Sequence, residues 1–127
     1  MLKNILIIDD DEDILTVIEN VLTYNKFKVS AIQRTDDILK EIEKYKPDLI
    51  LTDFLLSGMD GGKICQIIKK NPQTCHIPVI LISGYKDLAL SYGNFGFDAF
   101  LNKPFDIKLL LNTIKDCLDK ADMLLDK

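Results

Sequence analysis

"ILIIDDDEDI", Ile5 to Ile14, places four apolar residues directly in front of five acids, Asp9, Asp10, Asp11, Glu12 and Asp13. A short run of isoleucine and leucine suits a strand buried on both faces, as in a parallel sheet. After the acids, Ile14, Val17, Ile18, Val21 and Leu22 recur at helical spacing, so Glu12 to Tyr24 reads as an amphipathic helix. Its acidic start complements the positive end of the helix dipole, and Asp11, Glu12 and Asp13 are assigned to capping and to a solvated first turn. Asp9 and Asp10 are left over. They follow the strand at once, repel each other, and call for a positive charge.

The same strand-then-helix rhythm continues along the chain. "FKVSAI" (Phe27–Ile32) reads as a strand, and Thr35 as the N-cap of a helix carrying Ile38, Leu39 and Ile42, with Pro47 ending that segment. "DLILTDF" (Asp48–Phe54) is a third apolar strand that also ends in an acid, Asp53. "SGMDGG" (Ser57–Gly62) reads as a loop, and Ile64, Ile67 and Ile68 mark the helix after it. "PVILIS" (Pro78–Ser83) is a fourth strand, Lys86 to Gly93 a short helix, and "DAFLN" (Asp98–Asn102) a fifth strand stopped by Lys103-Pro104. Ile107, Leu110, Leu111, Ile114 and Leu118 define a last helix to about Leu125. Five strand–helix repeats imply an α/β fold, a doubly wound parallel sheet with helices on both faces joined by right-handed crossovers. No linker, internal repeat or low-complexity segment interrupts them, so residues 1–127 read as one domain.

Composition narrows the function. A net charge of −4 argues against direct nucleic-acid binding or an anionic membrane surface, both of which favour excess Lys and Arg. The N-terminal apolar run is too short for a signal peptide, and no run approaches a membrane span, so a cytoplasmic location is expected. Cys65, Cys75 and Cys117 form no CxxC pair, and with the single His76 they make a poor zinc set. They read as idle or buried thiols in a reducing compartment, and His76 as a loop histidine.

In open parallel sheets, ligands lie beyond the carboxyl ends of the strands. Here four strands end in Asp9/Asp10, Asp53, Ser83 and Asn102-Lys103. If the first and third strands are neighbours, three carboxylates converge, and they cannot all stay ionised without a cation. Oxygen donors with no nearby Cys or His select Mg²⁺, with Ca²⁺ or Mn²⁺ as substitutes. A divalent ion and a lysine around one carboxylate are also what stabilises a transferring phosphoryl group. Each residue taken alone has a blander reading, as a cap, a turn hydroxyl or a strand terminus. Their occurrence at the same ends of alternate elements is what singles them out.

These residues resemble the receiver domain of two-component response regulators over essentially the whole chain. The resemblance rests on "IDDDED" after the first strand, "LTDFLLSGMDG" around Asp53, "LISG" at Ser83 and "AFLNKPFD" around Lys103. It implies the flavodoxin-like strand order 2-1-3-4-5 and a set of roles. Asp53 is the phospho-acceptor. Asp10 ligates Mg²⁺ directly and Asp9 largely through water, with Asp53 and the backbone carbonyl of Leu55 completing the protein ligands. Ser83 is the switch hydroxyl, Lys103 pairs with a phosphoryl oxygen, Phe100 is the rotating aromatic, and Lys103-Pro104 is a cis peptide.

The implied partners are a histidine kinase or histidine phosphotransfer protein and a downstream protein target. The protein then promotes only its own phosphorylation and dephosphorylation and is not otherwise an enzyme. Because the chain ends after the last helix, the resemblance implies a receiver with no output domain, as a free-standing regulator, a phosphorelay intermediate or a domain cut from a hybrid kinase or longer regulator, with Met1 favouring a natural N-terminus.

Some positions depart from the pattern. The Ser83–Lys103 spacing is shorter than is common, with the shortfall in "GYKDLALSYGNFG"; Ser57 stands where proline is common, Gly84 where alanine is frequent, and Phe100 lacks a tyrosine's hydroxyl. Two other functions compete: an inactive receiver-like interaction module, against which the intact Asp9, Asp10, Asp53, Ser83 and Lys103 argue, and a small aspartyl phosphohydrolase, for which the chain leaves no cap domain.

Overall fold

The computed structural model describes residues 2–85 and 96–125. Five parallel strands, β1 (Asn4–Ile8), β2 (Lys28–Ile32), β3 (Leu49–Asp53), β4 (Val79–Ser83) and β5 (Ala99–Asn102), form one sheet in the order 2-1-3-4-5. Among the described residues four helices pack around it: α1 (Glu12–Tyr24), α2 (Ile38–Tyr45), α3 (Gly61–Lys70) and α4 (Ile107–Leu125). The segment read as a helix from Lys86 to Gly93 falls on residues 86–95, outside those described. Among the described residues no helix is long and apolar enough to cross a membrane.

Alternation along the strands divides the core in two. Ile5 and Ile7 of β1, Leu49 and Leu51 of β3 and Ile80 and Ile82 of β4 face α1 and α4. Leu6, Ile8, Ile50, Val79 and Leu81 face α2 and α3. The central strands are buried throughout, which is why they read as unbroken apolar runs.

Three readings from sequence are corrected. The buried stripe of α1 is Leu15, Ile18 and Leu22, whereas Val17 is 53% exposed. Ile14 and Val17 are apolar for another reason: with Ile18 they line an apolar cleft against Lys103, Pro104, Phe105 and Ile107. The N-cap of α2 is Asp37, whose carboxylate accepts the Lys40 N–H; Thr35 is buried and its hydroxyl instead accepts the Asp37 N–H at 3.1 Å. α3 begins at Gly61, capped by Asp60, one residue before the expected loop end at Gly62. The assignment of Asp11 as a cap is borne out, since it accepts the N–H groups of Asp13 and Ile14.

The cysteines are free thiols, two of them buried. Burial pushes Cys65 up to about 12 and also raises Cys117, which leaves both protonated. His76 is exposed in the loop after α3.

Candidate phosphoryl-transfer site

Parallel pairing in register brings the carboxyl ends of β1, β3, β4 and β5 to one edge. Ile8 stands opposite Thr52, Asp53 opposite Ile82, and Ser83 opposite Asn102. The residues after β1 and at the end of β3 therefore meet. One oxygen each of Asp9, Asp10 and Asp53 lie within 4.8 Å of one another. Asp9 and Asp53 are buried, at 1% and 8% exposure, and Asp10 is exposed.

Each buried carboxylate is held. Asp9 Oδ1 accepts the Asp11 N–H at 2.9 Å, and Oδ2 accepts from Lys103 Nζ at 3.2 Å. Asp53 Oδ1 accepts the Phe54 N–H at 3.1 Å and lies 3.4 Å from Lys103 Nζ. Lys103, in the turn after β5 that holds the cis Lys103-Pro104 bond, thus bridges Asp53 at the end of β3 and Asp9, 94 residues earlier in the chain.

The electrostatics follow from burial and neighbours. Burial, and then the negative charge of Asp9, push the Asp53 carboxyl up to about 6; Lys103 and the Phe54 N–H pull the other way. For Lys103, burial alone would lower the ammonium, but Asp53 and Asp9 together outweigh it and hold it above its ordinary value. At neutral pH Asp53 is therefore largely ionised, and it faces an ammonium that stays charged.

Among the described residues this is the one group of acids, cysteines or histidines close enough to share a metal ion. Its donors are all carboxylate oxygens, which fits a hard divalent cation such as Mg²⁺. Leu55 follows two residues after Asp53 with its side chain exposed.

Ser83 is buried at the end of β4, and its hydroxyl oxygen accepts the Tyr85 N–H at 2.9 Å. Its carbonyl accepts the Lys103 N–H at 2.9 Å, which ties β4 to the lysine's backbone. Phe100 is half-buried on the α2–α3 face, its ring 5.8 Å from that of Phe97 and tilted by 57°. The structure thus brings Asp9, Asp10, Asp53 and Lys103 together, places Ser83 on the neighbouring strand end, and sets Phe100 on β5.

Sequence reading passed over Gly61 as one more loop glycine. A β-carbon there would collide with the carbonyl oxygen of Asp53. The paired glycines of "MDGG" carried that signal, but nothing local shows which backbone passes behind them.

Residues 5–115 match the family model described as the response regulator receiver domain. The chain is 33% identical over 114 residues to "DNA-binding transcriptional regulator NtrC" of Proteus hauseri, covering 88% of this chain and 24% of that one. It is 31% identical to "Heme response regulator HssR" of Staphylococcus epidermidis, covering 97% of this chain and 54% of that one. The chain thus spans between a quarter and about half of these relatives. A solved CheY-like receiver domain protein from Methanospirillum hungatei superposes with a TM-score of 0.85 at 30% identity, covering 97% and 98% of the two chains.

Proposed function

The chain belongs to the family of response regulator receiver domains, and from that premise we propose that it accepts a phosphoryl group on Asp53 from the phosphohistidine of a histidine kinase or histidine phosphotransfer protein. Receiver domains are signalling modules that work between such kinases and downstream effectors. The supporting observation is the environment of Asp53. It is a buried carboxylate at the end of the central strand, with Lys103 on one of its oxygens and the Asp9 and Asp10 oxygens within 4.8 Å.

In the transfer, an oxygen of Asp53 attacks the donor's phosphorus. The O–P bond forms as the P–N bond breaks, and the imidazole keeps that electron pair and takes up a proton from solvent. Asp10, Asp53 and the Leu55 carbonyl would hold Mg²⁺ directly, and Asp9 largely through water. When bound, the ion supplies charge neutralisation for the carboxylates and the transferring oxygens. Lys103 offers its ammonium to a phosphoryl oxygen and holds Asp53 ionised.

Ser83 serves as the switch. A phosphoryl group adds charge and acceptor oxygens, and the Ser83 hydroxyl turns from the Tyr85 amide to donate to one of them. The space it leaves at the end of β4 admits Phe100, which has no hydroxyl that would need a partner on burial. Burying more of that ring is favourable by roughly 1–3 kcal/mol, enough to tilt a two-state balance towards the face read by a downstream protein.

Incubation with acetyl phosphate and Mg²⁺ tests the reading. Intact mass should show one added phosphoryl group, and borohydride reduction should place it at Asp53. Wild-type labelling of Asp53→Asn, or turnover of added phosphomonoesters, would overturn it.

A further inference from the structure

Gly61 opens α3 and is buried. Its φ is not positive, unlike those of Gly58 and Gly96, so the position does not need glycine for its backbone conformation. It needs the space. A β-carbon at 61 would strike the carbonyl oxygen of Asp53 and stand 2.9 Å from Phe54 Cα and 3.0 Å from the Asp53 carbonyl carbon. All three atoms are backbone and cannot swing aside as the tip of a side chain can.

That backbone is already fixed on its other sides. The Asp53 carbonyl oxygen accepts from the Thr52 hydroxyl at 3.1 Å. The Phe54 N–H donates to Ile82 O of β4 at 2.7 Å and to Asp53 Oδ1 at 3.1 Å. The Phe54 carbonyl accepts the Gly61 N–H at 2.9 Å, which closes the loop 54–61. Leu55 and Gly58, with its φ of +80°, lie inside that loop.

We infer that Gly61 is a positioning residue for the phospho-acceptor. Its bare α-carbon seats the first turn of α3 against the Asp53–Phe54 peptide. It thereby fixes the Asp53 carboxylate and the Leu55 carbonyl relative to Asp9 and Asp10. The inference rests on the reading of Asp53 given above. Ordinary carbon contacts lie at about 3.5–4.0 Å, so relieving the clash moves this peptide by on the order of 1 Å. A displacement of that size at a reacting group costs up to about 10²-fold in rate. The shift carries metal-ligand oxygens with it, and lost support of metal ligands typically costs about 10–100-fold in affinity.

The test compares wild type, Gly61→Ala and Gly84→Ala. At Gly84 a β-carbon meets only Lys103 Cβ, at an ordinary 3.7 Å. Mg²⁺ affinity is measured by calorimetry well below each variant's melting temperature, and labelling rate with acetyl phosphate at saturating Mg²⁺. Gly61→Ala should bind Mg²⁺ about tenfold or more weakly and label more slowly, while Gly84→Ala keeps wild-type affinity. A role in stability alone would lower the melting temperature and leave the affinity of the folded protein unchanged; that result overturns the inference.

Should Gly61→Ala fail to fold, amide NMR of the wild type decides. The Gly61 resonance should shift with those of Phe54 and Leu55 along one Mg²⁺ binding curve. A Gly61 signal unmoved while Asp10 and Leu55 shift refutes the coupling. A wild type that neither binds Mg²⁺ nor labels removes the phospho-acceptor reading and this inference together. A wild type that does both beside an unimpaired Gly61→Ala removes the inference alone.

Discussion

Replacing Asp53 with Asn should stabilise the metal-free protein, and by an amount that depends on pH. The carboxyl rises from 3.8 to about 6 on folding, chiefly because burial and Asp9 disfavour its charge. A raised folded value means the native state binds more protons than the unfolded chain between those two limits. Its contribution to stability is complete below about pH 4 and is lost as pH climbs through about 6. At about 1.4 kcal/mol per pKa unit, this loss amounts to about 3 kcal/mol at pH 7. Asp53→Asn removes the titrating charge but also one partner of Lys103, whose bond to Asp9 at 3.2 Å remains. The net gain at pH 7 should therefore be about 2 kcal/mol, or several degrees in melting temperature for a chain of this size. Urea unfolding of both proteins in EDTA, from pH 4 to pH 7.5, measures it. Distant carboxylates are common to both proteins, so the difference between the curves reports Asp53 together with its coupling to Asp9 and Lys103. It should be small near pH 4, widen through pH 6 and then level off. A difference that stays constant across this range would falsify the claim that Asp53 carries the strain. Millimolar Mg²⁺ should then raise the wild type more than Asp53→Asn, because only the wild type keeps the full ligand set.

Further outcomes follow from the same geometry. Asp10→Asn should weaken Mg²⁺ binding more than Asp13→Asn, because the Asp10 oxygen belongs to the cluster and Asp13 lies in the first turn of α1; equal affinities by calorimetry would remove Asp10 from the ligand set. Lys103→Met should move the Asp53 titration above about 6, since Lys103 lowers it, and carbon-13 NMR of the Asp53 carboxyl would show an unmoved midpoint if the lysine does not act there. Leu15→Ala should cost about 2–5 kcal/mol and Val17→Ala well under that, because Leu15 is buried and Val17 is exposed; matching urea midpoints would contradict the α1 orientation. Beryllofluoride with Mg²⁺ should shift the NMR signals of Ser83, Gly84, Tyr85 and Phe100 and release the Tyr85 amide from its bond to Ser83. Shifts confined to residues 9–13 and 53–58 would mean that the phosphoryl mimic binds without a signal reaching β5.

The legible parts of the fold are those decided within a few residues. Unbroken apolar runs marked β1, β3 and β4 because both of their faces are covered, and the acids that end β1 and β3 marked the edge of the sheet. Strand order was not readable from the residues themselves and came with the resemblance. The misreadings share a cause. Val17 was placed in the core stripe because it is apolar at helical spacing, but the partners that make its site apolar, Phe105 and Ile107, lie some ninety residues away. Thr35, Asp36 and Asp37 follow one another, and a hydroxyl and a carboxylate are equal N-cap candidates until the backbone chooses. Gly61 was hidden because its constraint is steric and comes from β3. In the site, residue types told which charges gather; the Lys103–Asp9 bond, which decides how they balance, spans nearly the whole chain.

That balance answers why the chain tolerates adjacent acids at the end of a buried strand. Three carboxylates meet one ammonium, so the ionised cluster lacks two positive charges. A second lysine would neutralise only one of the two missing charges. A single divalent cation matches the deficit and leaves Lys103 able to turn to a phosphoryl oxygen. The unmet charge also explains why the site is costly when empty of cation. Asp53 is held near pH 6 by burial, so neutral solution keeps it ionised at the expense of stability. Removing the charge by mutation should relieve that expense and abolish the proposed nucleophile in one step, so stability and the proposed phosphoryl acceptance are opposed at this residue. The buried acids are thus an arrangement that folding alone would not favour, and a bound divalent cation would supply the positive charge that folding withholds.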